Sequence, residues 1–175
     1  MADPVKQTLH GWGRYPVETC SVFAPMSDAQ LYDILRTGLE RSYVARGLGR
    51  SYGDTALNRD AGVISQLKLN RILSFDESTG LLDCEAGVSL AQLIERFVPQ
   101  GFFPPVVPGT KFVTVGGAIA NDIHGKNHHC DGSFGNFIEE IKLLKPNGEI
   151  ITCSPTINES IFSATLGGSA SQGLF

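Results

Sequence analysis

The placement of glycine limits this chain more than any other feature. Gly47, Gly49 and Gly53 fall within the stretch Arg46–Asp54, and six more lie between Gly109 and Gly135. Twenty glycines in 175 residues exceed the usual share of about 7%. A flexible linker would spread them evenly. Clusters inside a chain that is 42% hydrophobic instead point to tight backbone turns, close approach of the backbone to a ligand, or both, because glycine alone reaches left-handed angles without steric cost and leaves space where a Cβ would stand.

Bulk properties exclude several classes. A chain of 175 residues is about one domain's worth and should bury roughly 70% of its unfolded surface, which rules out a disordered tail or a disulfide-held miniature. No run nears the ~18 apolar residues of a membrane helix. Met1–Gln7 lacks the basic-then-apolar order of a secretory signal, so the expected location is the cytoplasm. A net charge of −4 with no basic run argues against nucleic acid. Cys20, Cys84, Cys130 and Cys153 form no Cys-x-x-Cys pair, against a zinc ribbon or a thioredoxin-type site; reduced, mostly buried thiols are expected.

Along the chain, residues 1–14 read as an irregular approach segment. Ser21–Ala24 suits a first strand. Ser27 and Gln30 then make a capping box before a helix with Leu31, Ile34, Leu35 and Leu39 at helical spacing. Tyr43–Arg46 and Val63–Ser65 read as further strands, completing a small βαβ-like unit. Afterwards Arg71–Phe75 and Leu81–Ala86 flank a turn composition, which predicts a hairpin. Ser89 and Gln92 open a helix carrying Leu90, Leu93, Ile94 and Phe97, and Pro99, Pro104, Pro105 and Pro108 bracket the next loop. Ile138–Leu144 and Glu149–Cys153 flank Asn147-Gly148, a strong hairpin signal. Thr156 and Glu159 form a third capping box before Ile161, Phe162 and Leu166. Ala164–Gly168 begins another glycine-bearing turn, and the sequence breaks off in apolar Gly173-Leu174-Phe175, where a natural terminus is usually polar and loose; truncation is expected. The fold class is α+β.

Two loops are suited to chemistry. In Arg46-Gly47-Leu48-Gly49-Arg50-Ser51-Tyr52-Gly53-Asp54, successive amides can form an anion-binding concavity, with Arg46 or Arg50 adding charge-assisted bonds. The G-x-G-x-x-x-G spacing, followed by Thr55–Asp60 without helical periodicity, is not that of a dinucleotide fold. From this loop alone, an anion site and a plain surface turn stand equally open. The second stretch runs from Pro108 and Gly109 through Gly116-Gly117 to His129. Small residues at Ala118 and Ala120 suit a closely packed helix whose first amides could hold phosphate. His124, His128, His129, Cys130 and Asp131 invite a metal, but Gly125 and Gly132 interrupt any shared helical face, and no metal is expected. His128 and His129 suit structural hydrogen bonding. His124 is the better functional candidate, since Gly125 lets the adjacent backbone lie close to a ligand.

Together, Ala45-Arg46-Gly47-Leu48-Gly49-Arg50-Ser51-Tyr52-Gly53-Asp54 and Thr114-Val115-Gly116-Gly117-Ala118-Ile119-Ala120, with Asp122-Ile123-His124-Gly125-Lys126-Asn127-His128-His129 after it, resemble the phosphate loops of the vanillyl-alcohol-oxidase (PCMH-type) flavoprotein family. The resemblance covers the chain from about Val17 to Phe175. It implies a PCMH-type FAD-binding domain over residues 15–175, with a βαβ-like subdomain (about 15–70) and a mainly antiparallel subdomain with helices (about 71–175), and with the substrate domain absent. The first loop would cradle the FAD pyrophosphate. Gly109, Thr114, Val115, Gly116, Gly117, Asn121, Asp122, Ile123 and His124 would line the pyrophosphate and the isoalloxazine. Tyr52, His124 and Lys126 would face the flavin or substrate and serve catalysis.

Many such proteins attach FAD through a histidine in the first loop. Ser51 and Tyr52 stand there here, so non-covalent FAD is expected. The implied reaction is oxidation of a sugar secondary hydroxyl, with the general base beyond residue 175. The implied partners are a small-molecule or lipid-linked sugar, which would draw the enzyme to a membrane surface, and a reductase that completes an epimerisation. The alternatives are an oxidase of the same fold acting on another carbohydrate, alcohol or aldonolactone, and a non-catalytic fold fragment. Ser169–Gln172 is an unusual rendering of the expected glycine-rich turn, and loss of a partner domain would favour self-association.

Overall fold

The computed structural model describes residues 3–168; Ser169–Gln172 lies outside them. The N-terminal segment is not irregular. Val5–His10 forms strand β1, antiparallel to β2 (Val17–Phe23) from the Val5–Val22 pair to His10–Val17. Most of β1 is exposed, so its order comes from its ladder rather than from a buried face, and no hydrophobic period announces it.

β2 and β3 (Tyr43–Arg46) each pair in parallel with β4 (Gly62–Ser65), giving the order β1-β2-β4-β3. Helix α1 (Asp28–Thr37) links β2 to β3. Period-two alternation divides the sheet. Cys20, Val22 and Val63 cluster together, while Phe23 and Ile64 pack with Leu31 and Ile34 in a separate cluster. Ser27 caps α1 by accepting from the Gln30 amide, but the Gln30 side chain accepts from the Met26 amide at 2.9 Å rather than from Ser27. Gly38, at φ 58°, ends the helix, and Leu39, expected on the apolar face, is therefore 58% exposed.

The second half opens with the hairpin β5 (Ile72–Asp76) and β6 (Leu81–Cys84). Helix α2 (Leu90–Phe97) starts in a complete capping box: the Ser89 hydroxyl accepts from the Gln92 amide and the Gln92 carboxamide oxygen accepts from the Ser89 amide. Helices α3 (Val115–Ala120) and α4 (His128–Asp131) follow, then the hairpin β7 (Ile141–Leu144) and β8 (Ile150–Cys153), and α5 (Glu159–Thr165). β7 starts three residues later than the Ile138–Leu144 stretch expected for it, after Phe134–Phe137 winds into a 3₁₀ turn. The third capping box does not form. The Ser154 hydroxyl takes the Thr156 and Ile157 amides, and Asn158, at φ 50°, precedes α5 without a side-chain cap.

A large cluster built on Val88, Leu90, Leu93, Phe97, Val106 and Ile119 fills this half. Each such side chain stabilises by about 1.5–3 kcal/mol. Leu144 of β7 leaves this cluster to join Phe23, Leu31 and Ile64, and the ring of Tyr32 on α1 occupies the space where a Cβ at Gly148 would stand. The second hairpin thus fastens the two halves together, and the glycine loops meet where they join.

Candidate functional site

A cleft of about 520 Å³ lies between the two loops, within the ~300–1,000 Å³ typical of small-molecule sites. The loops touch: a Cβ at Gly47 would overlap the Thr114 hydroxyl. Only glycine allows the end of β3 to lie this close to the residue that caps α3. Ala45, Arg46, Gly47, Leu48, Gly49, Arg50, Ser51 and Tyr52 line one side, and Gly109, Thr114, Gly116, Gly117, Asn121 and Ile123 the other.

The first loop is held open as a string of donors. Its amides from Leu48 to Tyr52 donate to no protein acceptor among the described residues. Arg46 fixes its shape. Nη1 donates to the Ala56 carbonyl at 3.1 Å and Nη2 to the His10 carbonyl at 2.7 Å, while the guanidinium fills the space beside Gly49, itself at φ 66°. Burial pulls the Arg46 pKa below the usual arginine value, with the sulfur of Cys20 opposing. Arg46 is thus a buckle for the loop rather than a free anion contact. Arg50 instead rests 5.4 Å from the centroid of the Trp12 ring.

The second loop differs from its expectation. The first amides of α3 are committed: Val115 donates to Val88 O at 2.7 Å, Gly116 to Ala86 O at 2.9 Å, and Gly117 to the Thr114 hydroxyl at 3.2 Å. They hold the helix against the end of β6 and the start of α2. The amides of Gly109 and Thr110, ahead of the helix, have no protein acceptor among the described residues.

Six singled-out residues do not line the cleft. Gly53 and Asp54 turn the chain away beyond Tyr52, with the Leu57 amide donating to Asp54 O. Val115 packs against the large cluster. The Asp122 carboxylate accepts from the Gly135 amide at 2.8 Å. His124, one residue past the wall, is exposed and bridges to Ser133, with its ring 5.5 Å from that of His128. Lys126 is exposed beyond it. Gly125 serves packing rather than ligand approach, since a Cβ there would sit 2.8 Å from the Val107 carbonyl oxygen. Among the described residues, no group of three or more His, Cys, Asp or Glu is placed to hold a metal ion. The four cysteines are free thiols, and only Cys130 is exposed.

Trp12, Gln66, Ala86 and Thr110 line the cleft without having been singled out. Trp12 carried a legible signal, a lone indole between Gly11 and Gly13 in a polar stretch. Gln66 carried none. Its residue is 4% exposed, and neither carboxamide atom has a protein partner, a costly arrangement that suits a wall completed by a polar ligand. The cleft therefore has unpartnered amides on both sides, two arginines, no Asp or Glu in its lining, and a wall of small residues. These features suit a bound diphosphate, and FAD carries one.

Comparison with known proteins agrees. The chain is 46% identical over 170 residues to a decaprenylphosphoryl-beta-D-ribose oxidase of Mycolicibacterium smegmatis, covering 95% of this chain and 37% of that protein. It is 30% identical over 155 residues to an L-gulonolactone oxidase of Scyliorhinus torazame (86% and 34%) and 28% identical over 144 residues to a putative D-arabinono-1,4-lactone oxidase of Neurospora crassa (81% and 26%). It thus spans between 26% and 37% of the length of these relatives. A family model described as an FAD binding domain matches residues 21–154, and with the paired loops closing on one cleft the chain belongs to that PCMH-type family of FAD-binding domains.

Proposed function

We propose that this chain is the flavin-binding portion of an FAD-dependent oxidoreductase that oxidises a secondary hydroxyl of a sugar. The observation that carries the proposal is the junction of the two loops, Gly47 against Thr114, with unpartnered amides on either side of one carboxylate-free cleft. The first-loop amides from Leu48 to Tyr52 would bind the diphosphate, helped by the amides of Gly109 and Thr110. Bound FAD would supply the acceptor for the hydride that leaves the carbinol carbon. The chain's share is binding and orientation. Tyr52, 76% exposed on the cleft wall, would border the ring system. His124 would orient the substrate hydroxyl and Lys126 would meet an anionic substrate group, both from the rim beyond Ile123.

A sugar substrate is supported by the 46% identity to a ribose oxidase against 28–30% for the lactone oxidases. A decaprenylphosphoryl sugar is a lipid-linked anion, which supports work at a membrane surface; among the described residues no helix is long and apolar enough to cross one. A reductase partner completing an epimerisation belongs to the same proposal.

Purified chain incubated with FAD and desalted should keep a flavin spectrum, and acid precipitation should release the colour into the supernatant. A yellow pellet would mean covalent attachment. Gly109→Ala, whose Cβ meets no atom within 4 Å, should fold normally yet lose FAD affinity. Extended to the length of its relatives, the protein should reduce FAD faster with an anionic furanose than with an aldonolactone, and the opposite order would favour the lactone reading.

A further inference from the structure

The family match begins at residue 21, yet the cleft wall includes Trp12. The segment that carries it is pressed onto the first loop. Gly11 is buried, and a Cβ there would stand 2.7 Å from the carbonyl oxygens of both Ser51 and Gly53. The Trp12 amide donates to Ser51 O at 2.9 Å. That bond places the indole 5.4 Å from the Arg50 guanidinium, within the ~6 Å over which a ring face attracts a cation. Of the two arginines on the cleft, Arg46 is spent on backbone carbonyls. Arg50 makes no hydrogen bond or ion pair among the described residues, and its contact is the Trp12 ring.

We infer that the Gly11–Trp12 segment is a working part of the cofactor site: Trp12 is a positioning residue that holds Arg50 beside the first loop, where the guanidinium neutralises the diphosphate of FAD. The inference rests on the FAD reading above. An arginine is a flexible side chain, and ordering it on binding weakens affinity unless something has already ordered it. The indole supplies that order while leaving all the N–H donors of Arg50 free.

The test uses FAD titrations of the wild-type chain, Arg50→Gln, Trp12→Leu, Trp12→Phe and the Trp12→Leu/Arg50→Gln pair, followed by flavin fluorescence at low and high salt. Arg50→Gln should bind FAD about tenfold more weakly at low salt, as expected for loss of a charge-assisted contact. That difference should shrink as the Debye length falls from ~10 Å at 0.1 M to ~3 Å at 1 M. Trp12→Leu should bind about threefold more weakly, with Trp12→Phe between it and wild type, and the double variant should be no worse than Arg50→Gln alone. Riboflavin, which lacks the diphosphate, should not distinguish wild type from Arg50→Gln. Trp12 is the single tryptophan of the chain, so quenching of its emission on FAD addition gives an independent readout. Equal FAD affinity of wild type and Arg50→Gln would overturn the inference, as would a Trp12→Leu loss that persists unchanged without Arg50. Failure of the wild-type chain to take up FAD would instead overturn the reading on which it rests.

Discussion

At the residue scale, the contact of Gly47 with Thr114 is the most constrained point of the site. A methyl at Gly47 would meet both the hydroxyl and the methyl of Thr114. Gly47→Ala should therefore cost about 1–3 kcal/mol by overpacking. Thr114→Ala removes the obstruction but also the cap of α3, at about 1 kcal/mol. Thermal unfolding of both single variants and the double variant should show the double less destabilised than the sum; strict additivity would mean that the residues do not touch. Gln66 gives the opposite sign. Its buried carboxamide lacks a partner, so Gln66→Met should stabilise the FAD-free chain by about 1–3 kcal/mol, seen as a higher melting temperature. A lower one would mean that the amide is satisfied. The difference between these residues is also the difference in legibility. Gly47 and Thr114 stand in glycine-rich runs whose composition already implies close backbone approach. Gln66 follows an ordinary buried strand, and its lack of a partner arises only where β4 meets the loop of the other half. The α3 amides were misleading for a similar reason: the acceptors of Val115 and Gly116, Val88 and Ala86, are distant in sequence.

At the element scale, helices with a complete local signal were legible. Ser89 and Gln92 define α2, and the Asn147-Gly148 turn defines the second hairpin. β1 was not, because an exposed edge strand needs no apolar period, and α5 starts beyond the Thr156 box because Ser154 draws the Thr156 and Ile157 amides into a turn and Asn158 takes a left-handed conformation before the helix. Two ion pairs tie elements across these joints. Glu18 of β2 accepts from Arg59 beyond the first loop, and Glu85 after β6 accepts from Arg71 before β5. The Arg59 hydrogen bond holds Glu18 below the ordinary 4.5, with burial opposing. Burial works against ionisation of Glu85 as well, but the Arg71 side chain and amide overcome it. Both carboxyls thus have lowered folded-state values. Their contribution is present above the unfolded value and is lost as pH falls through the folded one. Melting temperature should accordingly hold steady near neutrality and fall below about pH 4.5, less steeply in Glu18→Gln. A drop beginning near pH 6 would point to other groups.

At the scale of the whole molecule, the two halves meet along a line that Leu144 and Tyr32 cross, and the cleft opens at that line. Neither half alone makes the site. The βαβ-like half supplies the open amides and Arg50, and the other half supplies Gly109, Thr110 and the cap at Thr114. A ligand bridging them should stabilise the whole chain by mass action, about 2.7 kcal/mol at a free concentration of 100 Kd. The pairing of the halves was not contained in either loop. It rests on β4 inserting between β2 and β3, which leaves β3 at the sheet edge, and on Gly47 just beyond β3 meeting Thr114 of the second half. The most direct test is an FAD titration of the isotopically labelled chain, followed through backbone amide NMR shifts. Saturable changes are expected in Leu48–Tyr52 and in Gly109–Thr110 with one shared Kd, and much smaller ones at Val115–Gly117. Changes confined to one loop, or different affinities for the two, would contradict a single diphosphate held between them.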